Sequence, residues 1–470
     1  MTARTEPHVR ISLVHVNDLH AHYGPDGGSP VARAVGFKER VAAEQPNVVF
    51  INAGDDYEKG SVAENFSEGR ATLEITHAAG YDIRALGNHD FAWDEAQVLE
   101  FVDAPHGDVV CANVRYVGQH KRPWRAERLV TRTFEGVTVG FFGCVSGPWD
   151  ENNERVDGDF YPAFPMRTDY HALVGELLAE ARETCDVLVM VSHLGLKTDR
   201  ALCEAHPEID VVVSAHSHDL LMQPERVGGA RIVQTGRFGR FIGRLDLCVD
   251  PASRRIVDED YTMAPLAEGS APIDAATQAK IEAIFAEHAP MATVPVAETS
   301  RALTEHETIA LTARAAVTMT DAEAALLHPR SWWCGLPEGP VHAQHFCDAC
   351  KVERQPAGTP SWTGLYVVTM DGADLAAAME SLVYAGPRPE ADRTYRVAAP
   401  KYVALHPARY LPASESVRDA ASLVEGWRLL FDYARHRTER GLYLDCDAPL
   451  PAATLEPHRG APERRSRASA

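Results

Sequence analysis

His15-Val16-Asn17-Asp18-Leu19-His20-Ala21-His22 closes the first apolar run of the chain, at 11–16, and decides how the rest of it reads. Four stretches of the same character come later: Asn52-Ala53-Gly54-Asp55-Asp56, Gly87-Asn88-His89-Asp90, Ser192-His193 and Ser214-Ala215-His216-Ser217-His218. Most of the polar residues in them lie just after an apolar run, where α/β sheets open their ligand crevice. Asp18, His20, Asp55, Asn88, His193, His216 and His218 offer oxygen and imidazole donors, which suit hard or borderline divalent ions. Seven ligands are too many for one tetrahedral ion and fit two ions sharing one carboxylate. A single loop histidine is ordinarily a polar surface residue. The ordered set is what points to a metal centre.

Order and residue types resemble the calcineurin-like metallophosphoesterases, and more narrowly the 5′-nucleotidase / UDP-sugar hydrolase family. The resemblance covers about residues 10–250 with sharp motifs and 300–415 with weaker ones. It implies an α/β fold, a four-layer αββα metallophosphoesterase sandwich with a second, smaller α/β (α+β) C-terminal domain. It implies two divalent metal ions as cofactors, with manganese, zinc, iron, cobalt and magnesium all compatible with these donors. Asp18, His20 and His218 would take one ion, Asn88, His193 and His216 the other, and Asp55 would bridge them. The implied activity is that of a phosphoric ester hydrolase, with attack on phosphorus by a metal-bound hydroxide.

His89 would then act as a catalytic residue at the scissile phosphate, stabilising charge or protonating the leaving oxygen. Its family partner is an aspartate three residues on, where this chain has Ala92. Asp94 is expected to orient His89 instead, with Asp90 the other candidate and a histidine acting alone, at reduced efficiency, the third option. Relatives usually carry glycine where Ala215 stands, and alanine fits there unless the backbone needs positive φ. Asp56 and His22 are expected in supporting roles, and His15 as a hydrogen-bonded core histidine.

The 470 residues are 45% apolar and 24% charged, an ordinary globular composition, and no apolar run approaches the 18 residues of a membrane span. A formal charge of −21 disfavours nucleic-acid and membrane partners, leaving a small-molecule phosphate ester as the expected one. No oligomeric state is implied. The first residues lack the apolar segment of a secretory signal, and nine scattered cysteines do not form a disulfide pattern. A cytoplasmic location is expected, or an exported one if the chain is a mature form.

Apolar runs at 11–16, 48–51, 83–86, 109–112, 137–144, 187–191 and 211–214 read as buried strands, with helices at 30–44 and 170–183 between them. Breakers at 265–272 mark a linker, and Asp274 should cap a helix to 288 with Ile281, Ile284 and Phe285 on one face. The expected division is a metal domain at 8–265, a linker and connecting helix at 266–293, a substrate-binding domain at 294–450 and a disordered tail at 451–470.

In that second domain the family's recognition loops are rebuilt. A glycine-rich stretch ending in arginine is replaced by Leu326-Leu327-His328-Pro329-Arg330-Ser331-Trp332-Trp333. Pro360-Ser361-Trp362-Thr363 and His406-Pro407-Ala408-Arg409-Tyr410 stand in for two other motifs. Arg330, Trp362, Arg409 and Tyr410 are the candidate substrate-binding residues, with aromatic packing the competing role for the rings. Cys334, His342, His345, Cys347 and Cys350 could supply a structural zinc site or be ordinary thiols and imidazoles. The leading expectation is a phosphomonoesterase on a nucleoside monophosphate or another small phosphorylated metabolite, in nucleotide catabolism or beside it. A phosphodiesterase acting on cyclic nucleotides or nucleotide-sugars, or a catalytically weak metal-binding regulator, are the alternatives.

Overall fold

The computed structural model describes residues 8–24, 28–57, 61–147, 162–267, 270–290, 292, 294–329, 331–332, 334–350, 364–411 and 415–450. They separate into two compact units, the first running to Ala292. The expected tail at 451–470 lies outside the described residues.

Two mixed sheets build the first unit. In one, Val9–Val16, Val48–Asn52, Ile83–Ala85, Asp108–Val110 and Ala126–Glu127 run parallel in that order, and Phe241–Asp250 and Arg255–Pro265 extend it antiparallel beyond Val9–Val16. In the other, Ala230–Val233, Val211–Val213, Val187–His193 and Val137–Val145 are parallel, flanked by antiparallel Glu225–Val227 and Val130–Phe134. Ile11, Leu13, Val49 and Ile51 of the first sheet share one buried cluster with Phe141, Val189, Val191 and Val213 of the second. The sheets therefore pack face to face.

Helices cover the outer faces. Leu173, Leu177 and Leu202, from Tyr170–Ala181 and Leu196–Ala205, bury Phe142, Met190 and Val212. Leu73, Leu99 and Phe101, from Arg70–Ala79 and Glu95–Val102, bury Val109 on the opposite side. Strands buried on both faces must be apolar throughout, which is why they read as continuous runs. Pro30–Glu44 begins where Ser29 accepts the Val31 N–H at 3.2 Å, with Pro30 in the first turn, where its missing N–H costs nothing.

Asp274 caps Ala275–His288 by accepting the Thr277 N–H at 2.7 Å, and Ile281, Ile284 and Phe285 are buried. This helix packs on Arg70–Ala79 and Pro30–Glu44, and His288 pairs with Glu74 at 3.2 Å. The segment expected as linker and connecting helix is thus built into the first unit. His15 is fully buried against Tyr261, whose hydroxyl lies 3.4 Å from its Nε2.

The second unit has a five-stranded mixed sheet, ordered Val383–Ala385, Ala324–Leu327, Thr394–Pro400, Gly364–Asp371 and Arg418–Glu425. Leu326, Met370, Val397 and Val403 centre one of its cores. Helix Glu305–Met319 starts at a capping box, in which Thr304 and Glu307 satisfy each other's backbone N–H groups. Among the described residues no helix is long and apolar enough to cross a membrane.

Candidate metal centre

Five parallel strands deliver the candidate ligands from their C-terminal ends: Val9–Val16 leads to Asp18 and His20, Val48–Asn52 to Asp55, Ile83–Ala85 to Asn88, Val187–His193 ends on His193, and Val211–Val213 leads to His216 and His218. Extended backbone is not what aligns them. Asp18, His20, Asp55, His216 and His218 all have positive φ, between 48° and 74°. Such a conformation costs about 1–2 kcal/mol for each non-glycine residue. The inter-sheet core can carry that strain, since each buried Val or Leu contributes about 1.5–3 kcal/mol. Ala215 is not among the positive-φ residues, so alanine sits there without penalty.

Backbone hydrogen bonds fix these turns to one another. The N–H groups of Asp18, His20 and Ala21 donate to the carbonyls of Gly54, Asp55 and Asp56 at 3.0, 2.9 and 2.7 Å. The Asp90 carboxylate then clamps the Asp55 and Gly87 loops. It accepts N–H groups from Gly87 (2.8 Å), Asp56 (2.9 Å), Asp55 (3.1 Å) and Tyr57 (3.4 Å). Burial, then the charges of Asp56 and Asp55, push its pKa up, and these donors oppose them. Gly87 must be glycine here, because a Cβ would lie 2.0 Å from Asp55 Oδ1.

Two clusters of donor atoms result, each with its atoms within 4.8 Å of one another: Asp18, His20 and His218, and Asp55, His193 and His216. Asp55 Oδ1 accepts the His89 N–H at 2.8 Å. Its other oxygen, Oδ2, lies 3.0 Å from His193 Nε2 and 3.8 Å from His20 Nε2, so it faces a donor of each cluster. Nδ1 of His193 donates to the Ala53 carbonyl at 2.7 Å, which puts the lone pair on Nε2. Two acceptors facing at 3.0 Å need a cation between them, a proton or a metal ion. With a proton there, burial works to lower the His193 pKa, but the Asp55 charge outweighs it and raises the value to about 9. A metal would release that proton. The Asn88 Oδ1 is buried without a hydrogen-bond partner, a lone-pair donor of the kind a hard cation takes.

The donor set therefore fits two divalent ions. Burial alone would raise the Asp18 and Asp55 carboxyls, yet the surrounding histidines hold both well below the usual range, so both stay ionised. Arg84, buried beneath, offsets part of the negative charge of Asp56 and Asp90. His89 joins His20 and Asp55 in a third group of close donor atoms, its ring edge-on to His20 at 5.0 Å.

Asp94, expected to orient His89, has a different task. It caps helix Glu95–Val102, accepting the Gln97 N–H at 2.9 Å from an exposed position. Asp90 is committed to the loop clamp, and Ala92 packs against the apolar cluster around Phe91 and Leu99. We predict that Asp94→Ala lowers stability by about 1 kcal/mol, as for other lost caps, while Asp94→Asn does not. Thermal unfolding checks the stability. An Asp94→Asn rate far below wild type would restore the catalytic role.

Three further residues support the centre. Asp199 accepts hydroxyls of Ser192 and Ser214, 2.5 Å each, and so ties together the strand ends that carry His193 and His216. Asn17 donates to Asp18 Oδ2 at 2.6 Å and accepts the Thr235 N–H at 2.8 Å. Phe238 stacks on His22 with ring centroids 3.9 Å apart, and its N–H donates to the Asp18 carbonyl at 2.7 Å.

In the second unit, Arg330 and Trp362 lie outside the described residues, as does Trp333. Trp332 is a buried packing residue, 1% exposed. Tyr410 stands edge-on to Tyr402 at 5.1 Å and to His328 at 6.1 Å, with the exposed Arg409 guanidinium 5.6 Å from the Tyr410 ring centroid. The zinc option is not assembled. Among the described residues, the groups of three or more possible ligands all belong to the first unit. His345 Nδ1 accepts the His342 N–H at 3.1 Å, closing the start of helix Ala343–Ala349.

Residues 11–220 match the calcineurin-like phosphoesterase family profile. The uncharacterized metallophosphoesterase YunD of Bacillus subtilis is 23% identical over 268 residues, 55% of this chain and 54% of its own. The chain spans about half the length of the curated relatives it matches first. A 5′-nucleotidase precursor from Thermus thermophilus shares the fold with a TM-score of 0.66 at 21% identity, over 91% of this chain and 96% of that one. A sulfate thiohydrolase, SoxB, from the same species gives 0.65 at 17%, over 91% and 94%. Two different reactions on one architecture mean that the fold does not choose the substrate. Residues 11–220 thus form a region similar to the calcineurin-like phosphoesterases, and the chain shares the fold of 5′-nucleotidase structures.

Proposed function

We propose that the protein is a metal-dependent phosphomonoesterase acting on a small phosphorylated metabolite, with nucleoside monophosphates the first class to try. The observation that carries this reading is Asp55 Oδ2, which faces a histidine of each donor cluster at 3.0 and 3.8 Å. Asp18, His20 and His218 would hold one divalent ion, and Asn88, His193 and His216 the other; the ions would supply Lewis acidity and activate water for attack at phosphorus. His89, half-buried and fixed through its N–H to Asp55, would donate a proton toward the leaving oxygen.

Within the second unit, Tyr410 and the Arg409 guanidinium, 5.6 Å from its ring centroid, offer a ring and a cation of the kind a ligand with a ring and an anionic group takes. The 5′-nucleotidase precursor that shares the fold favours a nucleoside monophosphate, whereas the rebuilt loops favour another phosphorylated metabolite. Phosphate release should be assayed on nucleoside monophosphates, sugar phosphates, nucleotide-sugars and bis(p-nitrophenyl) phosphate, with Mn²⁺ or with a chelator. We expect monoesters to be hydrolysed with Mn²⁺ and not with the chelator. Cleavage of diesters alone, or silence with two ions bound, would overturn the proposal in favour of a diesterase or a metal-binding regulator.

A further inference from the structure

Arg237 lies at the more exposed edge of the metal centre. The His218 side chain is 24% exposed, whereas Asp18, His20, Asp55 and His193 are at most 2% exposed. Arg237 Nη1 sits 3.3 Å from His218 Nδ1, and the guanidinium lies over the Phe238 ring, 4.6 Å from its centroid. Phe238 is itself held firmly. It adopts φ +64°, donates its N–H to the Asp18 carbonyl and stacks on His22. A non-glycine residue in this conformation persists only where its surroundings over-determine it.

Hydrogen-bond inventory makes the Arg237–His218 contact conditional. A guanidinium has donors only, so His218 Nδ1 must accept for the contact to be favourable. His218 reaches the ligand cluster through Nε2, 3.3 Å from Asp18 Oδ1 and 3.0 Å from His20 Nε2. Ligation through Nε2 places the ring hydrogen on Nδ1, which then faces the guanidinium donor to donor. The contact and ligation exclude each other. When His218 ligates, the guanidinium must turn away, and the Phe238 ring face provides a pivot beside the exposed edge. Its planar fork matches a phosphoryl group with two parallel N–H···O bonds. On a chain of net charge −21, a cation at this edge also lowers the barrier to an approaching anion.

We propose that Arg237 is a phosphoryl-binding residue, turned toward the substrate anion when His218 ligates metal; this rests on the phosphoesterase reading above. The test is Arg237→Gln in the full chain, with two calorimetric titrations. Metal-stripped protein is titrated with Mn²⁺, and Mn²⁺-loaded protein with inorganic phosphate. Removing the competing contact should make Mn²⁺ bind about threefold to tenfold tighter. Losing the charged fork should weaken phosphate binding by about 10-fold to 100-fold. A residue that merely supports the fold would weaken both together, and that result would overturn the proposal. Unchanged phosphate affinity would also overturn it. Neither titration needs turnover, so failure of every ester in the assay above would leave this test readable.

Discussion

Asp55→Asn should leave the fold standing and lower phosphate release by between about 100-fold and several thousand-fold. The substitution keeps an oxygen to accept the His89 N–H, now made at 2.8 Å, so the loop geometry has a route to survive. What it removes is charge. Burial works to raise the Asp55 carboxyl, but His193, His89 and His20 hold it ionised, so asparagine takes away a full negative charge between the clusters. Breaking a buried charge pairing by removing one partner costs about 3–5 kcal/mol, which sets the expected range at tenfold per 1.4 kcal/mol. Bound manganese, counted by elemental analysis after dialysis, should fall from two ions per chain to one or none. A variant that keeps two ions and the wild-type rate would remove Asp55 from the bridging position and the dinuclear reading with it.

Much of this centre was legible because its chemistry is carried by residue type at strand ends. The runs at 48–51 and 211–214 became Val48–Asn52 and Val211–Val213, each within a residue of expectation, since strands buried on both faces announce themselves by unbroken apolarity. Asp274 announced its helix through a capping residue ahead of a periodic apolar face. Asp94 carries the same kind of signal, with Gln97 three residues on, and only the absence of the family's aspartate at Ala92 draws it toward catalysis. The positive φ values of Asp18, His20 and His216 had no sequence signal, because none is glycine and their strain is balanced by tertiary hydrogen bonds. Arg237 and Phe238 follow the last motif by about 20 residues and approach His218 only through the fold. In the second unit, exposure cannot be read from residue type, and Trp332 is buried.

The largest effect on stability is expected at Asp90. Both of its carboxylate oxygens are used. Oδ2 accepts the N–H groups of Gly87 and Asp55, and Oδ1 those of Asp56 and Tyr57. Asp90→Ala leaves these donors facing a void, and each buried donor without a partner costs about 1–3 kcal/mol. Even with partial relaxation, the loss is a large fraction of the roughly 5–15 kcal/mol that stabilises a typical domain. Asparagine is no conservative choice here. Its amide nitrogen would turn two more donors toward the donors on one side, so Asp90→Asn should destabilise nearly as much as Asp90→Ala. Thermal unfolding of metal-stripped protein measures this directly. A residue that only oriented His89 would lower turnover and leave the unfolding temperature unchanged, and that outcome would end the clamp assignment. The same loops carry Asp55 and Asn88, so metal affinity should fall with stability. Saturating Mn²⁺ should then restore part of the lost unfolding temperature, because an ion that binds only the folded state stabilises it by about 2.7 kcal/mol at a hundred times its Kd. A variant that unfolds at the same temperature with and without manganese would mean that Asp90 holds the chain together without holding the metal site in place.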